Sequence, residues 1–225
     1  DDGTGDDGTG DLKATLVTSL RQVFFLMVPA SAFFIALSGR LIEGIFSGGR
    51  FDAYASSATA DALSCYSIGL CAYAGSKVLN SCFFAMHDTA SPVKVSAAAL
   101  MINVILNALL MFPLKIKGLA LASSVSGIVS FLMLIRILDK KTGGLDLGVI
   151  AVSLAKLLAA GAAAGYACFF ISSRLPGYCR GDGFFFHAAL LAVYFVCCCA
   201  VYIAVCKMLR CPEPGELLGW MKKKL

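Results

Sequence analysis

Long, mostly apolar stretches alternate with short polar segments along almost the whole chain. Six such runs follow one another, at residues 23–46, 62–86, 95–114, 118–138, 149–173 and 184–206. Each has about the ~20 residues that a helix needs to cross the hydrocarbon of a bilayer. Because lipid offers no hydrogen-bond partner to an open backbone, all six are predicted to be α-helices. The pattern therefore predicts an all-α, polytopic membrane protein with six transmembrane helices.

The composition agrees with this class and excludes others. Of the 225 residues, 59% are hydrophobic and 15% are charged, and the mean hydropathy is +0.82. Soluble domains are roughly 45–50% apolar and about 25% charged. The ten cysteines lie mostly inside the apolar runs and form no Cys-x-x-Cys pair, so we predict neither a zinc site nor a disulfide framework.

The net charge of +5 arises from Lys and Arg residues at the ends of the apolar runs. Such residues flank membrane spans, so we predict no nucleic-acid partner. With six spans, eleven of these residues fall on the side of the two termini and six on the other. The excess predicts that both termini are cytoplasmic. No HExxH motif or glycine-rich phosphate loop is present, and we predict no enzyme activity.

The segments outside the runs are polar. Residues 1–11 contain a DDGTG repeat and are predicted to be a disordered linker. Residues 12–22 carry a leucine every four positions and predict an interfacial amphipathic helix, or else an extension of the first span. Residues 139–148 are predicted to be a cytoplasmic loop and residues 208–225 a basic cytoplasmic tail. The start at Asp1, without methionine, suggests a fragment, a processed chain or an engineered boundary.

Polar residues at membrane depth are the candidate functional residues, since they are expensive there. Asn103 and Asn107 are four apart, so they share one helical face. Their oxygens, with the hydroxyl of Ser123 on the following helix, could bind a cation or a substrate head group. The alternative is that they join neighbouring helices, at about 0.6 kcal/mol for each hydrogen bond. Lys77 and Asn80 have the same two interpretations, with Lys77 reaching the head groups or an internal ion pair.

Several segments from about Ser19 to Leu138 follow one ordered pattern. It includes the loop F-S-x-G-x-F at residues 46–51, the helix end KVL…FFA…DT…P at residues 77–92 and the segment GLALA at residues 118–122. In order and spacing they resemble the C-terminal half of the MurJ (MviN) family of lipid II flippases. The resemblance is strongest over a little more than half of the chain. In the last two spans it rests on number and hydropathy.

The resemblance implies part of a MOP-superfamily (MATE-like) transporter fold, with the six runs as helices nine to fourteen. Residues 23–138 would be a four-helix part of the C-terminal lobe, and residues 149–207 two helices forming a lipid-facing groove. The aromatic residues that would face the lipid tail there are Phe169, Phe170, Phe184 and Phe185. The family's substrate-binding arginines lie mainly on helices that precede these, so none is transferred to this sequence.

The implied function is transfer of undecaprenyl-pyrophosphate-linked peptidoglycan precursor across the bacterial cytoplasmic (inner) membrane by alternating access. The implied partners are lipid II or a related polyprenyl-linked precursor, membrane lipids, and the missing N-terminal helices or a partner chain. We predict no cofactor. Some family members bind sodium at positions matching Asn103, Asn107 and Ser123, but an amide at residue 107, where a carboxylate can occur, would weaken cation binding.

Two alternatives remain open from the sequence. One is a polysaccharide-lipid flippase or a cation-coupled exporter of the same superfamily. The other is a non-transporting membrane subunit that needs a partner chain, because six spans without a complete cavity fit such a role.

Overall fold

The computed structural model describes residues 4–46, 53–174 and 184–209, which form six α-helices. Their bounds are α1 Thr4–Phe46, α2 Ala53–Ala85, α3 Ala90–Leu114, α4 Ile116–Lys141, α5 Leu147–Arg174 and α6 Phe184–Met208. The six apolar runs coincide with these helices to within a few residues at most ends, which confirms the all-α prediction. Five of the helices are long and apolar enough to cross a membrane. Helix α2 is not among these five.

Helix α1 differs from the prediction at its start. The structure continues it from Thr4 through residues 12–22 and on to Phe46, with a kink at Leu37, whose φ of −122° and ψ of 15° are not helical. The disordered linker predicted for residues 1–11 is therefore wrong from Thr4 onward. Composition alone suggested disorder, but each residue added to an existing helix gains a backbone hydrogen bond. No proline interrupts this helix before Pro29.

The separate interfacial helix predicted for residues 12–22 is also wrong, for a reason visible in the leucine stripe. Leu16 and Leu20 are buried, and Phe24 and Val28 continue the stripe at the same four-residue spacing. Residues four apart lie on one helical face. This face is buried inside the bundle rather than laid on a lipid surface, so the stripe extends the first span.

The helices pack in an order that leaves α3 at one edge. Helices α1 and α2 form the centre, α5 and α6 pack against α1, and α4 packs against the other side of α2. Helix α3 packs mainly against α4, and only 6% of its most apolar segment is buried. The exposed face of α3 includes Met101, Val104 and Leu109. It suits contact with lipid or with helices outside this chain.

Residue Lys115 alone joins α3 to α4. Its φ of 51° is unusual for a residue with a side chain, and it brings the start of α4 back onto the end of α3. A Cβ placed on Gly118 would lie 2.2 Å from the backbone oxygen of Leu110. Only glycine therefore fits at this crossing of α3 and α4. Gly118 is also the first residue of the GLALA segment.

The other two described connections are compact turns. After α2, the Asp88 N–H donates to the Phe83 carbonyl and the His87 N–H to the Phe84 carbonyl, a Schellman motif with His87 at φ 55°. After α4, the connection is shorter than the predicted loop of residues 139–148, because α4 runs to Lys141 and α5 begins at Leu147. A carboxylate oxygen of Asp139 accepts the Leu145 N–H at 2.5 Å and closes this turn.

Arg40 ties the last two helices to the rest of the bundle. From α1, its guanidinium donates to the backbone carbonyl of Ser172 on α5 and to the Tyr194 hydroxyl on α6, the latter at 3.2 Å. Tyr194 is 2% exposed, so this contact lies largely out of solvent. One arginine thus links three helices. The predicted tail of residues 208–225 lies outside the described residues beyond Leu209.

We expect Gly118→Ala to destabilise the protein by roughly 1–3 kcal/mol, because the added Cβ overlaps backbone that has no room to move. Thermal denaturation of the purified protein in detergent measures the effect. The matched control is Gly39→Ala, since nothing lies within 4 Å of a Cβ at Gly39 and alanine favours a helix. Equal stability of the two variants would contradict this packing.

Candidate functional site

Asn103 and Asn107 lie on one face of α3, as their spacing predicts. The Asn107 Nδ2 donates to the Asn103 Oδ1 at 2.9 Å. Both side chains are half-buried, and the Oδ1 of Asn107 is buried without a hydrogen-bond partner. A buried carbonyl oxygen left unpaired costs ~1–3 kcal/mol. The pair therefore presents one acceptor that a ligand or water can satisfy.

Two serines on α4 complete this cluster. The Asn103 Nδ2 donates to the Ser126 Oγ at 3.1 Å and lies 3.4 Å from the Ser123 Oγ. The hydroxyls donate onward to backbone carbonyls, Ser123 to Leu119 and Ser126 to Ser123. The structure thus brings Asn103, Asn107 and Ser123 together as predicted. These contacts also provide the interhelical bonding that the alternative interpretation requires.

Helix α2 contributes a residue that the sequence analysis did not identify. The Tyr73 hydroxyl donates to the backbone carbonyl of Ser123 at 2.7 Å. A Cβ on Gly127 would lie 2.8 Å from the Tyr73 ring, so glycine makes room for the tyrosine. The sequence signal was weak, because tyrosines are common in membrane helices, chiefly near the interfaces, and the same run also contains Tyr66.

Lys77 and Asn80 do not join the cluster through any hydrogen bond within the described part of the chain. Lys77 is exposed on α2, which agrees with reaching the head groups. Asn80 is half-buried, and its Oδ1 is buried without a hydrogen-bond partner. Their role in binding stays a prediction. The two are three residues apart on α2, but the structure exposes one and buries the polar oxygen of the other.

An apolar cavity of about 560 Å³ lies between α1 and α5, next to Cys71 of α2. Phe169 lines it, together with the small residues Gly161 and Gly165, where a Cβ would lie 2.4 Å from Val28 and 3.5 Å from Ala32. The walls are thus α1 and α5, whereas the prediction made the groove from α5 and α6. That α6 forms part of a tail groove stays a prediction.

The other predicted groove residues are Phe170 on α5 and Phe184 and Phe185 on α6. The Arg174 guanidinium lies 5.0 Å from the centre of the Phe170 ring, a cation–π contact at the end of α5. Phe184 and Phe185 belong to the first turn of α6, but their side chains lie outside the described part of the structure. Of the two predicted aromatics whose side chains the structure describes, Phe169 lines the cavity and Phe170 does not.

One ion pair connects the α2–α3 turn to the end of α4. The Lys141 Nζ lies 2.5 Å from the Asp88 Oδ2, and the Ser91 backbone N–H donates to the Asp88 Oδ1. The hydrogen bond from the Lys141 ammonium, with the bonds from Ser91, holds the pKa of Asp88 well below its usual range. The aspartate is therefore ionised at neutral pH and fixes the turn beside α4.

Among the described residues, no group of three or more His, Cys, Asp and Glu side chains could hold a metal ion. The amide and hydroxyl oxygens of the Asn103 cluster are neutral. They suit water, a polar head group or a weakly held monovalent cation better than a divalent metal, which prefers carboxylates. The site's chemistry is therefore hydrogen bonding without a formal charge.

The fold matches a solved structure described as lipid II flippase MurJ in an inward closed conformation. The TM-score is 0.73 at 18% identity, over 89% of this chain and 39% of that one. This chain therefore has the fold of part of that structure.

The family follows from the sequence comparison. Residues 4–189 match the family model described as lipid II flippase MurJ, and the chain belongs to this family. A probable lipid II flippase MurJ of Synechocystis sp. is 31% identical over 157 residues, which are 70% of this chain and 30% of the relative. One of Rhizobium tropici is 28% identical over 207 residues, 92% of this chain and 39% of the relative.

Two consequences follow from these matches. The chain spans about a third of the length of the curated relatives it matches. The family is one of transporters, and the apolar helices together with these relatives indicate a bacterial multi-pass protein of the inner membrane.

The Asn103–Ser126 hydrogen bond is expected to couple α3 to α4. In a double-mutant cycle of Asn103→Ala and Ser126→Ala, the coupling free energy should be about 0.6 kcal/mol and at most about 1.7 kcal/mol, as for hydrogen bonds between membrane helices. Unfolding of the four proteins in mixed micelles supplies the values. A control cycle of Asn103→Ala with Ser153→Ala, on the distant α5, should be additive. Additivity in the first cycle would contradict the bond.

Proposed function

We propose that this chain forms the C-terminal part of a lipid II flippase. The observation that carries the proposal is the match of residues 4–189 to the family model of lipid II flippase MurJ. The fold supports it, since the same arrangement of helices occurs in a protein of that name. In this role the substrate is a polyprenyl-linked peptidoglycan precursor. The partners are membrane lipids and the helices that precede this part in the longer relatives.

The physical problem that such a protein solves is the polarity of the head group. A pyrophosphate in bare hydrocarbon lacks the water that stabilises its charge, and the cost of this desolvation is prohibitive. Alternating access, in which one lobe rocks against the other around a shielded site, removes the need for such exposure. Helices α1–α4 would form most of the moving lobe, because α2 joins α1 to α4 and α4 holds α3.

The polyprenyl tail has a different requirement, since it stays in an apolar environment throughout. The cavity between α1 and α5 is lined almost entirely by apolar atoms. Arg40 fixes α5 and α6 to α1 at the far end. A tail resting against Phe169 would therefore remain attached to the lobe while the head group moves.

Both termini are proposed to be cytoplasmic. The end of the bundle that carries the α2–α3 turn and the end of α4 is rich in basic residues, among them Lys94, Lys140 and Lys141. Excess Lys and Arg mark the cytoplasmic side of short loops. Since α1 begins at this same end, the N-terminus lies there too.

The proposed activity is tested by rescue of growth. Cells depleted of their own lipid II flippase should survive when they express this chain joined to the preceding helices of a relative. The preceding helices alone are the control and should fail. A reporter fused after Leu225 and active only in the cytoplasm verifies insertion and orientation. Lysis of cells that contain the well-inserted fusion would contradict the proposal.

We further propose that the Asn103 cluster binds sodium weakly, because Asn107 supplies an amide instead of a carboxylate. Asn107→Asp places a negative charge beside the Asn103 oxygen and should convert the cluster to a tighter sodium site. The denaturation temperature of this variant should rise in sodium chloride relative to potassium chloride, by the linkage between binding and stability. The unaltered chain should respond equally to both salts. A sodium-specific rise in the unaltered chain would contradict weak binding.

A further inference from the structure

A second cavity, of about 390 Å³, lies between α2, α3 and α4 and differs in chemistry from the apolar one. Seven of its ten lining residues carry a hydroxyl or an amide, and none is charged. The polar ones are Tyr73, Ser76, Ser96, Asn103, Ser123, Ser126 and Ser130. Such a concentration of hydrogen-bonding groups at membrane depth is costly unless partners are present. The cavity therefore calls for a ligand that hydrogen-bonds.

Ser76 supplies an independent sign of such a ligand. Its Oγ is buried without a hydrogen-bond partner. Other serines of α2 behave differently, since Ser64, Ser67 and Ser81 each donate to the carbonyl four residues earlier on their own helix. That bond is the usual one for a serine inside a helix. Ser76 leaves it unmade on the wall of the polar cavity.

The lining residues on α3 show how far the cavity extends along this helix. Ser96 is exposed and lies six residues after the start of α3, or roughly 9 Å along the helix at ~1.5 Å per residue. Asn103 lies seven residues further on and bonds to Asn107. The lining thus extends along α3 from Ser96, on the side of the α2–α3 turn, to Asn103, whose partner Asn107 carries the unpaired oxygen.

We propose that this cavity is a water-filled vestibule that opens at the α2–α3 end of the bundle and ends at the Asn103–Asn107 pair. Water is the ligand that the lining favours, because it both donates and accepts and needs two to four polar partners. At ~30 Å³ for each molecule, the volume holds roughly a dozen waters. A vestibule of this kind connects the amide cluster to bulk solvent while the outer face of α3 remains in lipid.

The vestibule explains the contrast between the two faces of α3. The face toward the cavity carries Ser96 and Asn103, whereas Val104, Leu109 and Phe112 are exposed and do not line the cavity. A thiol in water ionises and reacts with polar reagents, and a thiol in hydrocarbon does not. Cysteine reactivity therefore distinguishes water from lipid, residue by residue.

The test uses the full chain in membrane fragments open on both sides, treated with a charged methanethiosulfonate. Modification of each cysteine is followed by mass spectrometry, because the chain has native cysteines. Ser76→Cys and Ser96→Cys should react at least tenfold faster than Val104→Cys, with Ser96→Cys the faster of the two. Ser124→Cys is the buried control, since Ser124 is fully buried. A Ser76→Cys rate equal to that of Val104→Cys would overturn the proposal.

A second measurement needs no substitution and covers the case in which a variant fails to fold. Hydroxyl radicals generated from water by X-rays oxidise side chains beside that water. Tyr73, which lines the vestibule, should be oxidised faster than Tyr166, which lines the apolar cavity. The order is informative because Tyr166 is the more exposed side chain, at 71%. Faster oxidation of Tyr166 would show that lipid or protein fills the vestibule, and would overturn the proposal.

Discussion

The constraint on which this structure depends is that polar groups at membrane depth must find partners inside the bundle. The backbone meets it by forming six helices. The side chains meet it in pairs that cross between helices: Asn103 with Ser126, Tyr73 with the Ser123 carbonyl, and the Ser124 hydroxyl with the Cys65 carbonyl. Each of these bonds involves α4. That helix therefore holds α2 and α3 in one lobe through polar contacts.

Small residues make these bonds possible by letting backbones approach. A Cβ on Gly69 would lie 2.8 Å from the Ser124 Cα, and one on Gly161 would lie 2.4 Å from Val28. Between membrane helices, where the surrounding lipid is as apolar as leucine, close packing supplies much of the association energy. Both cavities border on glycine, Gly161 and Gly165 in the apolar one and Gly127 in the polar one.

The sequence predicted the helices well because hydropathy and length decide them, and it predicted the Asn103–Asn107 face from spacing alone. It failed where packing decides. The leucines at 16 and 20 have the same spacing whether the stripe faces lipid or protein, and only the tertiary contacts with the bundle distinguish the two. Likewise, nothing in the sequence distinguishes Ser76 from the other serines of α2. Its unpaired hydroxyl is a property of the cavity, which three helices build together.

The central claim is that these helices belong to a transporter that moves the head group of a polyprenyl-linked lipid across the membrane. Its most direct test is transfer itself, measured with the chain joined to the preceding helices, purified and reconstituted into vesicles with fluorescent lipid II. The account predicts that fluorescent lipid II from both leaflets becomes accessible, within minutes, to an impermeant quencher outside the vesicles. This should occur many times faster than in protein-free vesicles. Transfer no faster than in protein-free vesicles, by a protein that is folded and correctly inserted, would contradict it.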